Sequence, residues 1–165
     1  MPVDSVRENL IQAVVTRLEA IGTDPDFWYR GKLRGVERYI HDFNFEDNVA
    51  DNDQQINSAD DLTILVIPET ESDDFPGAPD NAIAVSLTLT ISFRLGPTAR
   101  CAEYNAALAD LKRALFRDWD HLGVGAELES AVNERLIPDS GLPHDTVVYR
   151  LTLTYIEVLG DPTNT

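Results

Sequence analysis

Between Tyr39 and Phe93 the chain has no lysine and no arginine, although that stretch holds 12 of its 29 acidic residues. Outside it 17 acids face 13 bases, so most of the formal net charge of −16 arises in one zone. A surface of that sign repels phosphate backbones and anionic membrane and favours basic partners. Cysteine is nearly missing as well. Cys101 alone cannot close an internal disulfide, the pattern of a protein made in a reducing compartment. Unbroken apolar runs last only a few residues, against the ~20 needed to span a bilayer, so no membrane partner is expected. The start, Met1-Pro2-Val3-Asp4-Ser5, has no basic region leading into an apolar run, and no secretory signal is expected.

Catalytic signatures are also missing from the sequence. It has no glycine-rich phosphate loop ending in Lys-Ser/Thr, no Gly-x-Ser-x-Gly elbow and no His-Glu-x-x-His. Gly123-Val124-Gly125 is too short to count. His41, His121 and His144 are scattered near the ends of expected elements, where histidines are ordinarily turn or surface residues. Cys101 falls on an apolar helix stripe and reads as a small buried hydrophobe rather than a nucleophile. Asp51-Asn52-Asp53 starts like a calcium loop, but Gln55, Ile56 and Leu62 stand where a ligand, the turn glycine and the bidentate glutamate belong. The expectation is therefore no enzyme, no cofactor and no metal; a metal held by carboxylates is the one catalytic alternative.

What is present is a sequence of well-patterned elements. At 165 residues and 43% apolar content one domain, 1–165, is expected. Such a chain buries roughly 68–70% of its unfolded surface. Ser5-Val6-Arg7-Glu8 is a capping box. Behind it Val6, Leu10, Val14, Leu18 and Ile21, widened by Ile11 and Val15, predict a helix over 6–21, stopped by Gly22 and Pro25. A weaker alternation predicts a strand at 34–41. Residues 42–61 are polar and aperiodic and predict a mobile loop. A short strand at 62–67 ends at Pro68, and a second mobile acidic loop is expected at 68–81.

From Ile83 to Leu95 strict alternation sets Ile83, Val85, Leu87, Leu89, Ile91, Phe93 and Leu95 against Ala84, Ser86, Thr88, Thr90, Ser92 and Arg94. Thirteen extended residues reach roughly 44 Å, long enough that part is expected to project as an arm or to bend. A second helix is expected over 99–118, burying Cys101, Tyr104, Leu108, Leu111 and Leu115, with Lys112, Arg113 and Arg117 at its negative end. Strands are expected at 126–137, where a helix is the alternative, and at 146–158. The fold class is thus α+β, order α-β-β-β-α-β-β: a largely antiparallel four- to five-stranded sheet with two helices packed on one face. If the third and last strands are neighbours, Thr88, Thr90, Thr152 and Thr154 line one polar face, either solvated or held against another subunit.

Basic residues have their own concentration. Arg30, Lys32, Arg34 and Arg38 lie beside Trp28 and Tyr29, just before the acidic zone. Four bases on a strand edge are ordinarily solvated, and the net charge opposes nucleic acid. Oppositely charged patches on one chain also suit head-to-tail association into a closed ring.

The layout resembles the tail-terminator (tail-completion) proteins of long-tailed bacteriophages. The resemblance rests on an amphipathic first helix leaving through Leu18-Glu19-Ala20-Ile21-Gly22, a variable loop and a long alternating strand. It rests also on the Ala/Leu-rich helix Tyr104–Leu115 and on the closing run Tyr155-Ile156-Glu157-Val158-Leu159-Gly160-Asp161-Pro162. It covers nearly the whole chain by texture rather than by a short motif, and the acidic insertion at 42–61 is larger than the family pattern.

The resemblance implies a structural virion protein at the head-proximal end of the tail, assembled in the host cytoplasm. It implies a homo-oligomeric ring, usually a hexamer, that caps the tail tube, ends its polymerisation and offers a surface for head attachment. Its partners would be its own copies, the major tail tube protein and the head-completion (connector) protein, with DNA passing through unbound. Under that reading Asp47, Asp51, Asp53, Asp60, Asp61, Asp73 and Asp74 face the lumen or connector. Trp28, Tyr29, Arg30, Lys32, Arg34 and Arg38 meet a neighbour. The competing readings are another head–tail neck component and an acidic cytosolic module that mimics DNA.

Overall fold

The structure, a computed structural model, describes residues 5–21, 23–30, 33–38, 62–74, 82–94, 101–117, 126–136 and 146–158. The expected order holds: helix α1 (Val6–Glu19), strands β1 (Leu33–Arg38), β2 (Leu62–Asp74) and β3 (Ala82–Arg94), helix α2 (Cys101–Phe116), and strands β4 (Glu127–Leu136) and β5 (Thr146–Val158). The Ser5 hydroxyl caps α1 by accepting from the Glu8 amide at 3.2 Å. All seven residues of the α1 stripe are buried, Ile21 just beyond the helix included. They share one core with Leu62, Ile64 and Val66 of β2, the odd-numbered apolar residues of β3 from Ile83 to Phe93, and Tyr149, Leu151, Leu153 and Tyr155 of β5. Both helices contribute to that core, so they cover the same face of the sheet.

The sheet runs β1-β2-β3-β5-β4. It is mixed rather than purely antiparallel, because β1 pairs parallel with β2, Val36 opposite Ile64 and Arg38 opposite Val66. Parallel neighbours need a connection that carries the chain back to the starting end of the sheet, a dozen residues or more. The acid-rich insertion between Arg38 and Leu62 therefore has a topological duty in addition to its charge.

Two expectations about the strands are corrected. β2 does not stop at Pro68 but continues to Asp74, so a loop over 68–81 is wrong for its first part. A bulge at Glu69, between the Pro68–Leu89 and Thr70–Thr88 pairs, reverses the strand's facing. Before it Ile64 and Val66 point into the core. After it Glu71 and Asp73 stand opposite Leu87 and Val85, on the helix side. The polar composition beyond Pro68 hid this half of the strand, which is held by pairing with β3 rather than by its own apolar residues. Pro68 is tolerated where β1, whose pairing ends at Val66, no longer flanks β2. Nor does β3 project as an arm. It pairs with β5 from Ala82–Val158 to Arg94–Thr146 along its whole length.

α2 starts and ends within two residues of expectation, but its inward face is rotated. Ala107, Asp110, Leu111, Ala114 and Leu115 are buried, whereas Tyr104 and Leu108 are only partly so. The Cys101 side chain and Gly22 lie outside the described positions. The threonine face forms as expected. Thr88 stands opposite Thr152, and the row continues to Thr70 on β2 and Ser130 on β4. Ser72, Ser86 and Thr154 make a second row. Thr90 and Ser92, further along the same face, are buried.

Candidate partner interface

The segment that follows α1 is built by short-range hydrogen bonds. Ala20 caps the helix, and its carbonyl accepts from the Thr23 and Asp24 amides. Asp24 then accepts the Asp26 amide on its own carboxylate at 2.9 Å, a side-chain turn of the kind aspartate favours, and Phe27 donates to the Asp24 carbonyl. Beyond the turn the chain alternates. Phe27 and Tyr29 enter the core, and Trp28 between them is 61% exposed.

Asp110 fixes that alternation. Its carboxylate, fully buried on α2, accepts the backbone N–H of Tyr29. A buried carboxylate is tolerated only where it is hydrogen-bonded, and here the bond ties α2 to a segment 81 positions earlier. The sequence signal for it, missed by periodicity alone, is an acid on the apolar stripe between Ala107 and Ala114.

Around this clamp the C-terminal ends of both helices meet. Arg17 of α1 donates to the Arg117 carbonyl at 2.6 Å, and Arg113 of α2 donates to the Asp26 carbonyl. Arg113 and Arg117 each hold a guanidinium nitrogen 3.8 Å from the Asp26 carboxylate. The Arg113 guanidinium also lies over two aromatic rings, 5.7 Å from the Phe27 centroid and 5.9 Å from that of Trp28. Together Arg17, Arg113 and Arg117, with Asp24, Asp26 and Phe27, line a cleft of about 210 Å³.

Three guanidiniums face two carboxylates there, in a chain whose net charge is −16. Arginine stays protonated at any ordinary pH and offers only donors, so the cleft is equipped to recognise acceptors rather than to move protons. An exposed tryptophan beside arginines is the composition found at the energetic centre of protein interfaces.

Of the basic residues expected at an interface, the two whose side chains are described, Arg30 and Arg38, engage different parts of the chain. Trp28 is exposed as anticipated, but Tyr29, expected beside it, is a core residue 2% exposed. Arg30 is exposed and its guanidinium lies 3.5 Å from the Pro25 carbonyl. Arg38 is turned inward to α1, donating to both carboxylate oxygens of Glu8 at 2.6 and 2.8 Å. That bond, strengthened by the charges of Arg38 and Arg7, holds the Glu8 carboxyl below its usual range, and Glu8 raises the Arg38 guanidinium in return. The Arg34 side chain and all of Lys32 lie outside the described residues. So do Asp47, Asp51, Asp53, Asp60 and Asp61. Asp73 is exposed on the helix side of β2, and Asp74 is the last residue of that strand.

The described acids of β2 are partly engaged. Glu71 accepts from Arg7 of α1 at 2.7 Å, and Glu69 lies 3.7 Å from Arg150. Burial, together with the negative charge of Glu71, pushes the Tyr155 phenol well above its ordinary value. Among the described residues no group of three or more His, Cys, Asp or Glu side chains is placed to hold a metal ion, and no helix is long and apolar enough to cross a membrane. The chain matches no protein-family model, and no curated protein is significantly similar to it.

Proposed function

We propose that this chain is a structural, tail-terminator-like protein of a long-tailed bacteriophage. It assembles into a ring, expected to be a hexamer, that caps the tail tube, ends tube growth and presents a surface to the head-completion protein. The observation that supports the reading is architectural. The element order α-β-β-β-α-β-β folds as one five-stranded sheet with both helices on one face, the layout expected of that family. The surface chemistry adds to it, because an exposed Trp28 beside an arginine-lined cleft suits a protein that works by contact.

A DNA-mimicking module would need carboxylates on ordered backbone, and β2 does order Glu69, Glu71 and Asp73. Two of those three already face arginines of the same chain, which weakens the mimic. The test is electron microscopy of polymerising tail tube protein with and without this chain. Rings at tube ends and a halt in tube growth are the expected outcome. Tubes that lengthen equally in its presence would overturn the reading.

A further inference from the structure

We infer that the Trp28–arginine cleft and the outer face of β4 are the two halves of one head-to-tail contact between copies of this chain. The inference rests on the ring reading for its context but on the surface chemistry for its content. Among the described residues the exposed large hydrophobics are Trp28, Val132 and Ile156. Trp28 projects beside Arg113, which with Arg117 lines the cleft at the C-terminal ends of the helices. Val132, 60% exposed, lies on β4 opposite Arg150 and therefore on the sheet face away from the helices. Its strand carries Glu127 and Glu129, both exposed, and Arg150 beside it leans 3.7 Å from Glu69 on the far side of β3. One patch is an aromatic beside a cleft of guanidiniums; the other is an aliphatic side chain on a strand that carries two exposed carboxylates, with Arg150 opposite it drawn toward Glu69.

A second copy is the occupant that this pairing of opposite charges fits, since both halves are carried by every chain. The cleft belongs to the helix layer, and Val132 lies on the sheet face away from the helices. A contact between them is heterologous, so it repeats from copy to copy and closes into a ring or extends as a filament rather than ending at a symmetric dimer. Simple continuation of the sheet is the less favourable alternative. The β2 edge beyond Val66 carries Glu69, Glu71 and Asp73, and the β4 edge carries Glu127 and Glu129, so edge would meet edge with like charge.

Sedimentation velocity of the whole chain over a wide concentration range, at low and high salt, tests the contact. Wild type assembles beyond a dimer, more weakly at high salt. Trp28→Ala, Arg117→Glu and Glu129→Lys each raise the dissociation constant about tenfold or more. Arg117→Glu combined with Glu129→Lys in one chain restores most of the loss, because the swapped charges again face each other. Far-ultraviolet circular dichroism separates lost assembly from lost fold, and neither Arg117 nor Glu129 is buried. A monomer at every concentration, a closed dimer, or an oligomer indifferent to all the swaps would overturn the inference. An indifferent oligomer would leave the ring reading standing, whereas tubes unaffected by the chain would remove that reading without touching this contact.

Discussion

Glu8 and Arg38 meet through two hydrogen bonds of 2.6 and 2.8 Å, joining the first turn of α1 to the last residue of β1. A charged pair with parallel bonds is the strongest common form of side-chain hydrogen bond. It also places a carboxylate where the helix macrodipole favours negative charge. Both side chains remain partly exposed, at 26% for Arg38 and 37% for Glu8, so solvent screening holds the net contribution to about 1 kcal/mol. A double-mutant cycle with Glu8→Gln and Arg38→Met, read by urea denaturation, is expected to show a coupling energy of that size. A coupling indistinguishable from zero would dismiss the pair as ornamental.

The same pair makes a pH prediction. The Glu8 carboxyl is held below its ordinary value of 4.5, chiefly by the Arg38 hydrogen bond. Its stabilisation is therefore complete above pH 4.5 and fades as the pH falls below that value through the lowered one. Arg38→Met should flatten that part of the acid limb. An unchanged slope in the variant would show that other carboxylates carry it.

Asp110 anchors Tyr29 through a bond that no solvent reaches. Asp110→Ala removes the acceptor and is expected to cost about 2 kcal/mol. Asp110→Asn retains an oxygen and should lose less than half of that. Equal losses for the two variants in guanidinium denaturation would mean that the acceptor itself is not what matters. Trp28 exposure to acrylamide should change with Asp110→Ala, because the alternation of Phe27, Trp28 and Tyr29 depends on that anchor.

Tyr149 and Tyr155 bring phenols into the core, and burial is the first cause of the raised value at each. Above pH 10 the unfolded chain loses these protons while the folded chain keeps them, so stability falls with rising pH from 10 toward the raised values. The Tyr155 hydroxyl is buried and has no hydrogen-bond partner among the described residues. Tyr155→Phe is therefore expected to be neutral, or stabilising by up to about 1 kcal/mol, at neutral pH. It should also shorten the alkaline decline. A loss above about 1 kcal/mol at neutral pH would reveal a bonded hydroxyl.

β2 beyond its bulge offers a test of register. Amide exchange across residues 70–74 should be slowed relative to an unstructured chain, as pairing with β3 requires. Deleting Glu69 should remove the bulge yet leave Glu71 opposite Leu87 and within reach of Arg7, because Glu69 is the extra residue between the Pro68–Leu89 and Thr70–Thr88 pairs. Rapid exchange throughout 70–74 in the intact protein would return that stretch to the status of a loop.

How much of this was legible depended on how local the signal was. The α1 stripe and the alternations of β3 and β5 were readable because each apolar residue reports its own burial at a fixed period. Leu87–Thr90 and Leu151–Thr154 look alike because they are antiparallel neighbours sharing both faces of one sheet. The second half of β2 was not readable, since polar residues occupy both its faces and a bulge interrupts its period. The arginine cleft was hidden for another reason. Arg113 and Arg117 looked like cations suited to the end of their own helix, and nothing in either helix states that the two helix ends meet.

By itself, then, the sequence determined where the helices and the apolar strands lie and which side of α1, β3 and β5 is apolar, because side-chain periodicity and capping act over a few residues. The tertiary structure alone decided that β1 lies parallel to β2, that Glu71 faces α1, that Arg38 turns inward to Glu8, and that Arg17, Arg113 and Arg117 gather in one cleft. Those outcomes depend on register and on which elements pack together. They are set by non-local burial of the shared core, which no single segment encodes.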